Sequence, residues 1–232
     1  MTLIAEDLLL LLLDDGSGKP VVDSTKLPRV LAGAVILELA MNGTVSVTGD
    51  TPVEGLPHTT KKGRLVVTED SPPSDAILAE AAAAIGSAKR PMTPKSAVEK
   101  LNAQIHEQVV ARVIESGFVG EEHGKILGLF PTTSWPAKDS AHEDRVRMTL
   151  HTVLVEGFEP DPRSSAIIAL LSAIDATPKV FPDVDKRDLV KRAAHIAQGE
   201  WAGDAVRKAV HDVYSAVSVA VMVPIMAGTS GI

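Results

Sequence analysis

The chain has 232 residues, enough for one large domain or two small ones, and its lack of cysteine excludes disulfide frameworks, thiolate metal centres and cysteine nucleophiles. Its 23 lysines and arginines against 30 aspartates and glutamates give a net charge of −7, whereas a nucleic-acid-binding domain is usually basic. Aromatic residues make up only 3% of the sequence, so leucine, valine, isoleucine and alanine must build the core. This composition favours helices packed on helices over an aromatic-rich β-sandwich.

Two apolar helices are predicted near the start of the chain. Residues 3–13 are apolar nearly all round the helical period, which indicates a deeply buried helix. Residues 28–41 contain only two charged side chains and are typical of a central core helix. Ser24 or Thr25 is expected to cap this second helix, and Gly43 is expected to end it.

The periodicity then changes from helix to strand and back. Strict alternation over residues 44–48 predicts a strand, and residues 64–68 are its expected partner. Residues 74–86 predict a helix capped by Ser74. Residues 96–116 predict a long amphipathic helix.

The segment 118–138 differs from its surroundings, because its apolar residues are interspersed with glycines and prolines. This pattern predicts a β-hairpin. An exposed hairpin of this kind can insert into a membrane interface or dock another subunit. The alternative is that its apolar side chains fold back into the core. The residues concerned are Ile126, Leu127, Leu129, Phe130 and Trp135.

Further helices are predicted in the last third of the chain. Ser140 and Glu143 have the spacing of a capping box. Pro162 is expected to begin the next helix, followed by helices over residues 186–198 and 204–223. These helices are expected to complete the helical core.

No break in composition divides the chain, so residues 1–232 are predicted to form one mainly α domain with small β-hairpins. The leucine run at residues 8–13 and the apolar tail at residues 216–227 are shorter than the ~20 residues that span a bilayer. The N-terminus lacks the cationic region of a secretory signal. A cytoplasmic protein is therefore expected, with at most peripheral membrane contact.

The sequence offers no catalytic or metal-binding motif. Residues 16–19 lack the first glycine and the final serine or threonine of a phosphate-binding loop. The seven histidines are scattered, without the ligand spacing of a zinc helix. No Gly-x-Ser-x-Gly element is present. We therefore expect a protein that is not an enzyme and that needs no metal and no cofactor.

One short loop is basic. It contains Lys61, Lys62 and Arg64. Three cations are few, so the loop is expected to be a solvated run of charges. An acidic chain nevertheless needs a local basic patch of some kind to contact an anionic membrane.

Six motifs follow one another in order along the chain. The first is a leucine-rich helix with an internal acid, followed by aspartate and a glycine-bearing turn, at residues 2–18. The others are LAGAVILELAMNG at 31–43, SDAIL at 74–78, ESG at 115–117, KILGLFP at 125–131 and DPRSSAIIALLSA at 161–173. Together they cover nearly the whole chain, and in this order and spacing they resemble the Golgi phosphoprotein 3 family, as a member of its bacterial type.

The resemblance implies a single, mostly helical domain from which a hydrophobic hairpin projects. The eukaryotic members of the family are peripheral membrane proteins. They bind phosphatidylinositol 4-phosphate on Golgi membranes and help to retain glycosyltransferases. A cationic pocket for the head group and an apolar hairpin for the interface would act together.

The chain departs from the family at the head-group pocket. The eukaryotic pocket uses a tryptophan and three arginines, and by register these fall at Asp23, Ala32, Ala103 and His106. A phosphate that is held by arginine forks loses most of its binding energy without them. Lys26, Arg29 and His106 lie near these positions and are the candidates for a rearranged lipid-binding site.

Two functions from different classes follow from the resemblance. The first is a peripheral membrane module that binds phosphoinositide or other anionic lipid through the hairpin and an altered pocket. The second is a cytosolic scaffold that self-associates or docks a partner protein through the hairpin, without a lipid. The acidic flank of the hairpin at Glu121, Glu122 and Asp139 favours self-association. No nucleic-acid partner is expected.

Overall fold

A computed structural model describes residues 2–49, 61–68, 72–126, 130–198, 211, 213–215 and 217–219. Most of these residues are helical, as the sequence predicts, and the sheets are two small antiparallel pairs. The helices are α1 (Ile4–Leu11), α2 (Lys26–Met41), α3 (Ala76–Gly86), α4 (Pro94–Glu115), α5 (Ala141–Leu154), α6 (Pro162–Ala173), α7 (Thr177–Val180) and α8 (Lys186–Ala197). The strands are β1 (Val45–Val47), β2 (Leu65–Val67), β3 (Glu122–Ile126) and β4 (Phe130–Ser134).

Helices α1 and α2 form the centre of the core. All eight residues of α1 are buried, including its two acids, and α2 packs against α1, α3, α4 and α6. The predicted all-round apolar character of residues 3–13 is thus confirmed. Burial of leucine side chains at roughly 1.5–3 kcal/mol each explains why so short a helix is stable.

The last described helical residues pack directly on α2. Val213 and Val217 are fully buried, and a Cβ atom added to Gly33 would lie 2.5 Å from a Val217 methyl group. A glycine in the middle of α2 therefore lets the two segments approach closely. The parts of the predicted helix at residues 204–210 and 220–223 lie outside the described residues.

Helices α2 and α4 run side by side in the same direction. Near their starts, Arg29 on α2 pairs with Glu99 on α4 at 2.9 Å. Near their ends, Glu38 and Arg112 both reach the first turn of α1. The bundle therefore has one end at the starts of α2 and α4 and an opposite end at the start of α1.

Both predicted hairpins are present. β1 pairs with β2 in the register Val45–Val67, and β3 pairs with β4 from Glu122–Ser134 to Ile126–Phe130. Among the described elements, β3 and β4 pack chiefly on each other. This second hairpin therefore stands away from the helical body.

The predicted N-terminal helix caps are displaced or absent, whereas α2 ends as predicted at Asn42, followed by Gly43 with a φ of 80°. Asp23, not Ser24 or Thr25, accepts the amide hydrogens at the start of α2, at 2.9–3.1 Å. Asp75, not Ser74, accepts those of α3. A carboxylate accepts two amides more strongly than a hydroxyl does, so the aspartates take the cap positions.

The predicted capping box at the start of α5 does not form. The Ser140 hydroxyl makes no cap hydrogen bond, and the Glu143 carboxylate instead bonds to Arg147 one turn later. A hydrogen bond from the charged Arg147 guanidinium is stronger for this side chain than one from a backbone amide.

Candidate functional site

The base of the β3–β4 hairpin is fixed to the loop after α1. The Trp135 amide donates to the Gly18 carbonyl at 2.7 Å, and the Gly120 amide donates to the Pro136 carbonyl at 2.8 Å. A bridge joins Val119 to Ala137 below these bonds. The hairpin thus projects from a rigid base.

Trp135 belongs to this base. Its ring is half-buried against the core and meets the ring of His106 edge-on, with 6.2 Å between ring centroids. Trp135 therefore lies at the base of the hairpin, directly after β4. Leu127 and Leu129 lie outside the described residues, as do the side chains of Ile126 and Phe130.

The predicted lipid-binding residue Arg29 is already engaged. Its guanidinium donates to both carboxylate oxygens of Glu99, at 2.9 and 3.2 Å, and to the Thr25 carbonyl at 2.8 Å. A guanidinium group that already donates to one carboxylate and one carbonyl has few donors left for a phosphate. Glu99 also neutralises the charge that a phosphate would need.

Lys26 and His106 have separate partners. The Lys26 ammonium donates to the Ile174 carbonyl at 3.0 Å, at the end of α6. His106 lies on α4 beside Trp135, and burial lowers the pKa of its ring below the usual value. A histidine in this environment is neutral at pH 7 and adds no charge to a phosphate site.

The positions matched by register to the family pocket are unsuited to a phosphate. Ala32 is fully buried within α2, and Ala103 is exposed on α4. Burial alone would raise the pKa of Asp23, but hydrogen bonds from Thr25 and the Lys26 amide outweigh burial and lower it. The negative charge of Asp23 would repel a phosphate.

The family model described as Golgi phosphoprotein 3 (GPP34) matches residues 4–213. The chain belongs to the Golgi phosphoprotein 3 family. The mainly α fold with small hairpins, which the resemblance implies, is the fold of this chain. Within the described residues of this family member, no helix is both long and apolar enough to cross a bilayer.

We expect this family member to bind phosphatidylinositol 4-phosphate more weakly than the micromolar range, because Glu99 occupies Arg29 and His106 is neutral. Calorimetry with a soluble, short-chain form of the lipid measures this affinity. Glu99→Gln serves as the comparison, because it frees the Arg29 guanidinium while keeping the size of the side chain. Micromolar binding by the unaltered protein that disappears in Arg29→Ala would contradict this expectation.

A buried ionic cluster at the start of α1 was not foreseen from the sequence. Asp7 is 2% exposed and accepts hydrogen bonds from Arg163 at 2.7 Å and from Thr2 at 3.0 Å, and it contacts the His142 ring at 2.8 Å. Arg163 also lies 3.7 Å from Glu38. The cluster therefore joins α1 to α2, α5 and α6.

The neighbouring acid Glu6 extends the cluster toward α3 and α4. Its carboxylate accepts the Leu3 amide at 2.6 Å and lies 3.9 Å from Arg112, which forms a bidentate pair with Asp75. Burial raises the pKa of Glu6, and the Leu3 amide and Arg112 oppose this effect only in part. The sequence signal for this cluster is the acid pair directly before the leucine run, because charged side chains are not expected in an otherwise apolar, buried helix.

Glu143 makes the stability of the fold depend on pH. Burial raises the pKa of Glu143 to about 7, despite the hydrogen bond from Arg147. Between its unfolded value of 4.5 and about 7, the folded protein holds a proton that the unfolded chain has released. The contribution of Glu143 to the free energy of unfolding therefore falls as pH rises through this range.

We expect Glu143→Gln to remove this part of the pH dependence, because glutamine does not titrate. The free energy of unfolding of the variant, minus that of the original protein, should rise by on the order of 1–3 kcal/mol between pH 5 and pH 8. Urea unfolding at several pH values measures the difference. A constant difference across this range would show that Glu143 is ionised throughout.

Proposed function

We propose that the protein is a peripheral membrane protein that contacts the phospholipid bilayer through the β3–β4 hairpin, without a selective phosphatidylinositol 4-phosphate pocket. The observation that carries the proposal is the hairpin itself. Its strands pack chiefly on each other above a base that hydrogen bonds fix to the loop after α1. The segment between its strands is entirely apolar, with Leu127, Gly128 and Leu129.

The energetics suit a reversible contact. Transfer of four large apolar side chains out of water contributes roughly 1.5–3 kcal/mol each, before the cost of association. The four are Ile126, Leu127, Leu129 and Phe130. Such a contact is too weak for permanent anchoring and fits the reversible binding of an interfacial segment.

The test is a charged hairpin. In Leu127→Asp with Phe130→Asp, we expect an unchanged melting temperature and the loss of co-sedimentation with phospholipid vesicles. A matched control exists, because Val155 and Phe158 are 43% and 61% exposed elsewhere on the surface. Val155→Asp with Phe158→Asp should leave vesicle binding intact.

Two results would overturn the proposal. If the hairpin variant unfolds while the control folds, the apolar side chains belong to the core. The second result is that the original protein does not bind vesicles but self-associates, as measured by light scattering, while the hairpin variant is monomeric. The protein would then be a scaffold that self-associates through the hairpin.

A further inference from the structure

Two basic segments that are distant in sequence lie side by side at the end of the bundle where α4 starts. The Leu65 amide donates to the Met92 carbonyl at 2.7 Å, and the Arg64 guanidinium donates to the Pro91 carbonyl at 3.3 Å. These bonds join the turn at residues 61–64 to the connector between α3 and α4. The connector carries two cations, Lys89 and Arg90, and Lys95 follows in the first turn of α4, so the short run in the turn is one half of a larger surface.

We name this the basic surface, and it comprises Lys61, Lys62, Arg64, Lys89, Arg90 and Lys95. Neither of its segments, residues 61–68 and residues 86–98, contains an acidic residue. All its side chains are exposed except that of Arg64, which is half-exposed. Six of the 23 lysines and arginines are thus gathered on a chain whose net charge is −7.

The backbone under the basic surface is held in place by one buried residue. Thr48 is 4% exposed, and its hydroxyl donates to the Lys61 carbonyl at 2.8 Å and accepts the Arg64 amide at 2.9 Å. Its own amide and carbonyl bond to Arg64 and Gly63, at 2.8 and 2.9 Å. The turn therefore presents its cations from a fixed position, and less ordering is needed when a ligand binds.

Helix α4 relates the basic surface to the hairpin. Lys95 and His106, which contacts Trp135 at the hairpin base, are eleven residues apart on α4. At ~3.6 residues a turn and ~1.5 Å a residue, they lie on one helix face and about 16 Å apart along the axis. The basic surface and the hairpin base therefore border the same side of the helical body.

We infer that the basic surface docks on the anionic head groups of a phospholipid bilayer, which rests on the proposed function because the hairpin contacts that same bilayer. Each lysine or arginine near an anionic surface adds to the attraction, and the attraction decays within a Debye length. Only the facing side of the protein then feels the membrane, so the acidic remainder of the chain does not prevent binding. A long nucleic acid would instead extend past the basic surface, and the acidic remainder of the chain would repel it.

The test compares vesicles of phosphatidylcholine alone with vesicles that also contain phosphatidylglycerol. We expect the original protein to bind the anionic vesicles at least about tenfold more tightly at ~0.1 M salt, and to lose this preference at ~1 M salt. Lys89→Glu with Arg90→Glu should abolish the preference and keep the weaker binding to phosphatidylcholine. Arg145→Glu with Lys191→Glu, which changes the same charge at exposed sites on α5 and α8, should keep the preference.

Each outcome decides one claim. If the original protein binds both vesicles equally, or if both double variants lose the preference alike, the basic surface has no such role, and the hairpin proposal stands. If the original protein binds neither vesicle, both proposals fail. Thermal unfolding by circular dichroism checks that the variants fold, and Lys61→Glu alone provides a milder variant of the same surface.

Discussion

Replacement of Arg163 by methionine should lower the free energy of unfolding by about 3–5 kcal/mol, because it leaves the buried Asp7 carboxylate without its cation. Asp7 is 2% exposed, and Arg163 reaches it through two nitrogens, at 2.7 and 3.1 Å. Methionine keeps the length and the apolar part of the side chain, so the loss reports the charge and its hydrogen bonds. Urea unfolding, monitored by circular dichroism, measures the change.

The comparison for Arg163→Met is Arg145→Met, at an exposed arginine of α5, where we expect a change within about 0.5 kcal/mol. A second comparison combines Arg163→Met with Asp7→Asn, since a neutral amide needs no countercharge. This double variant should recover part of the loss. If Arg163→Met proves as mild as Arg145→Met, Asp7 is satisfied by Thr2 and His142 alone.

The partners in the ionic cluster could not be predicted from the sequence. Glu6 and Asp7 are conspicuous in the sequence because they directly precede a leucine run. The partners of Asp7, however, are His142 and Arg163, which are 135 and 156 residues away. No local period relates such partners. The tertiary packing of α1 against α5 and α6 brings them together, and only the structure reveals it.

The fold itself was more accessible, because its signals are local. Strict alternation predicted β1, and residues 64–68 were its expected partner. The apolar run at residues 28–41 and the amphipathic period at residues 96–116 predicted α2 and α4 to within about two residues. The caps moved by one or two residues, because a nearby aspartate competes with serine or threonine for the same amides. The four-residue helix α7 was not predicted, since it is too short to carry a period.

The candidate site was predicted only in outline. The hairpin followed from its own sequence, whereas the fate of Arg29 depends on Glu99, which is 70 residues away. The basic surface is similar, because the turn at residues 61–64 looks isolated until the Leu65 amide is seen to bond to Met92. A short run of charged residues can therefore be interpreted only when the segment that packs beside it is known.

The attachment of the hairpin depends on Gly18, and Gly18→Ala should lower the free energy of unfolding by about 2–5 kcal/mol. Gly18 has a φ of 62°, which costs any other residue roughly 1–2 kcal/mol. A Cβ atom there would also lie 2.2 Å from the Pro136 nitrogen and 2.4 Å from the Trp135 carbonyl carbon. These neighbours are backbone atoms and not a side chain that could move aside, so the loop and the hairpin base must separate.

The matched comparison is Gly157→Ala, because Gly157 has a φ of 82° but nothing within 4 Å of an added Cβ atom. This variant should show the cost of the backbone angle alone, about 1–2 kcal/mol. In Gly18→Ala, hydrogen exchange of the Trp135 amide should also accelerate, since its bond to the Gly18 carbonyl is strained. Equal losses in the two variants, with the Trp135 amide still protected, would mean that the hairpin base tolerates the added methyl group. The hairpin would then be held by the Val119–Ala137 bridge and the Gly120–Pro136 bond rather than by the loop after α1.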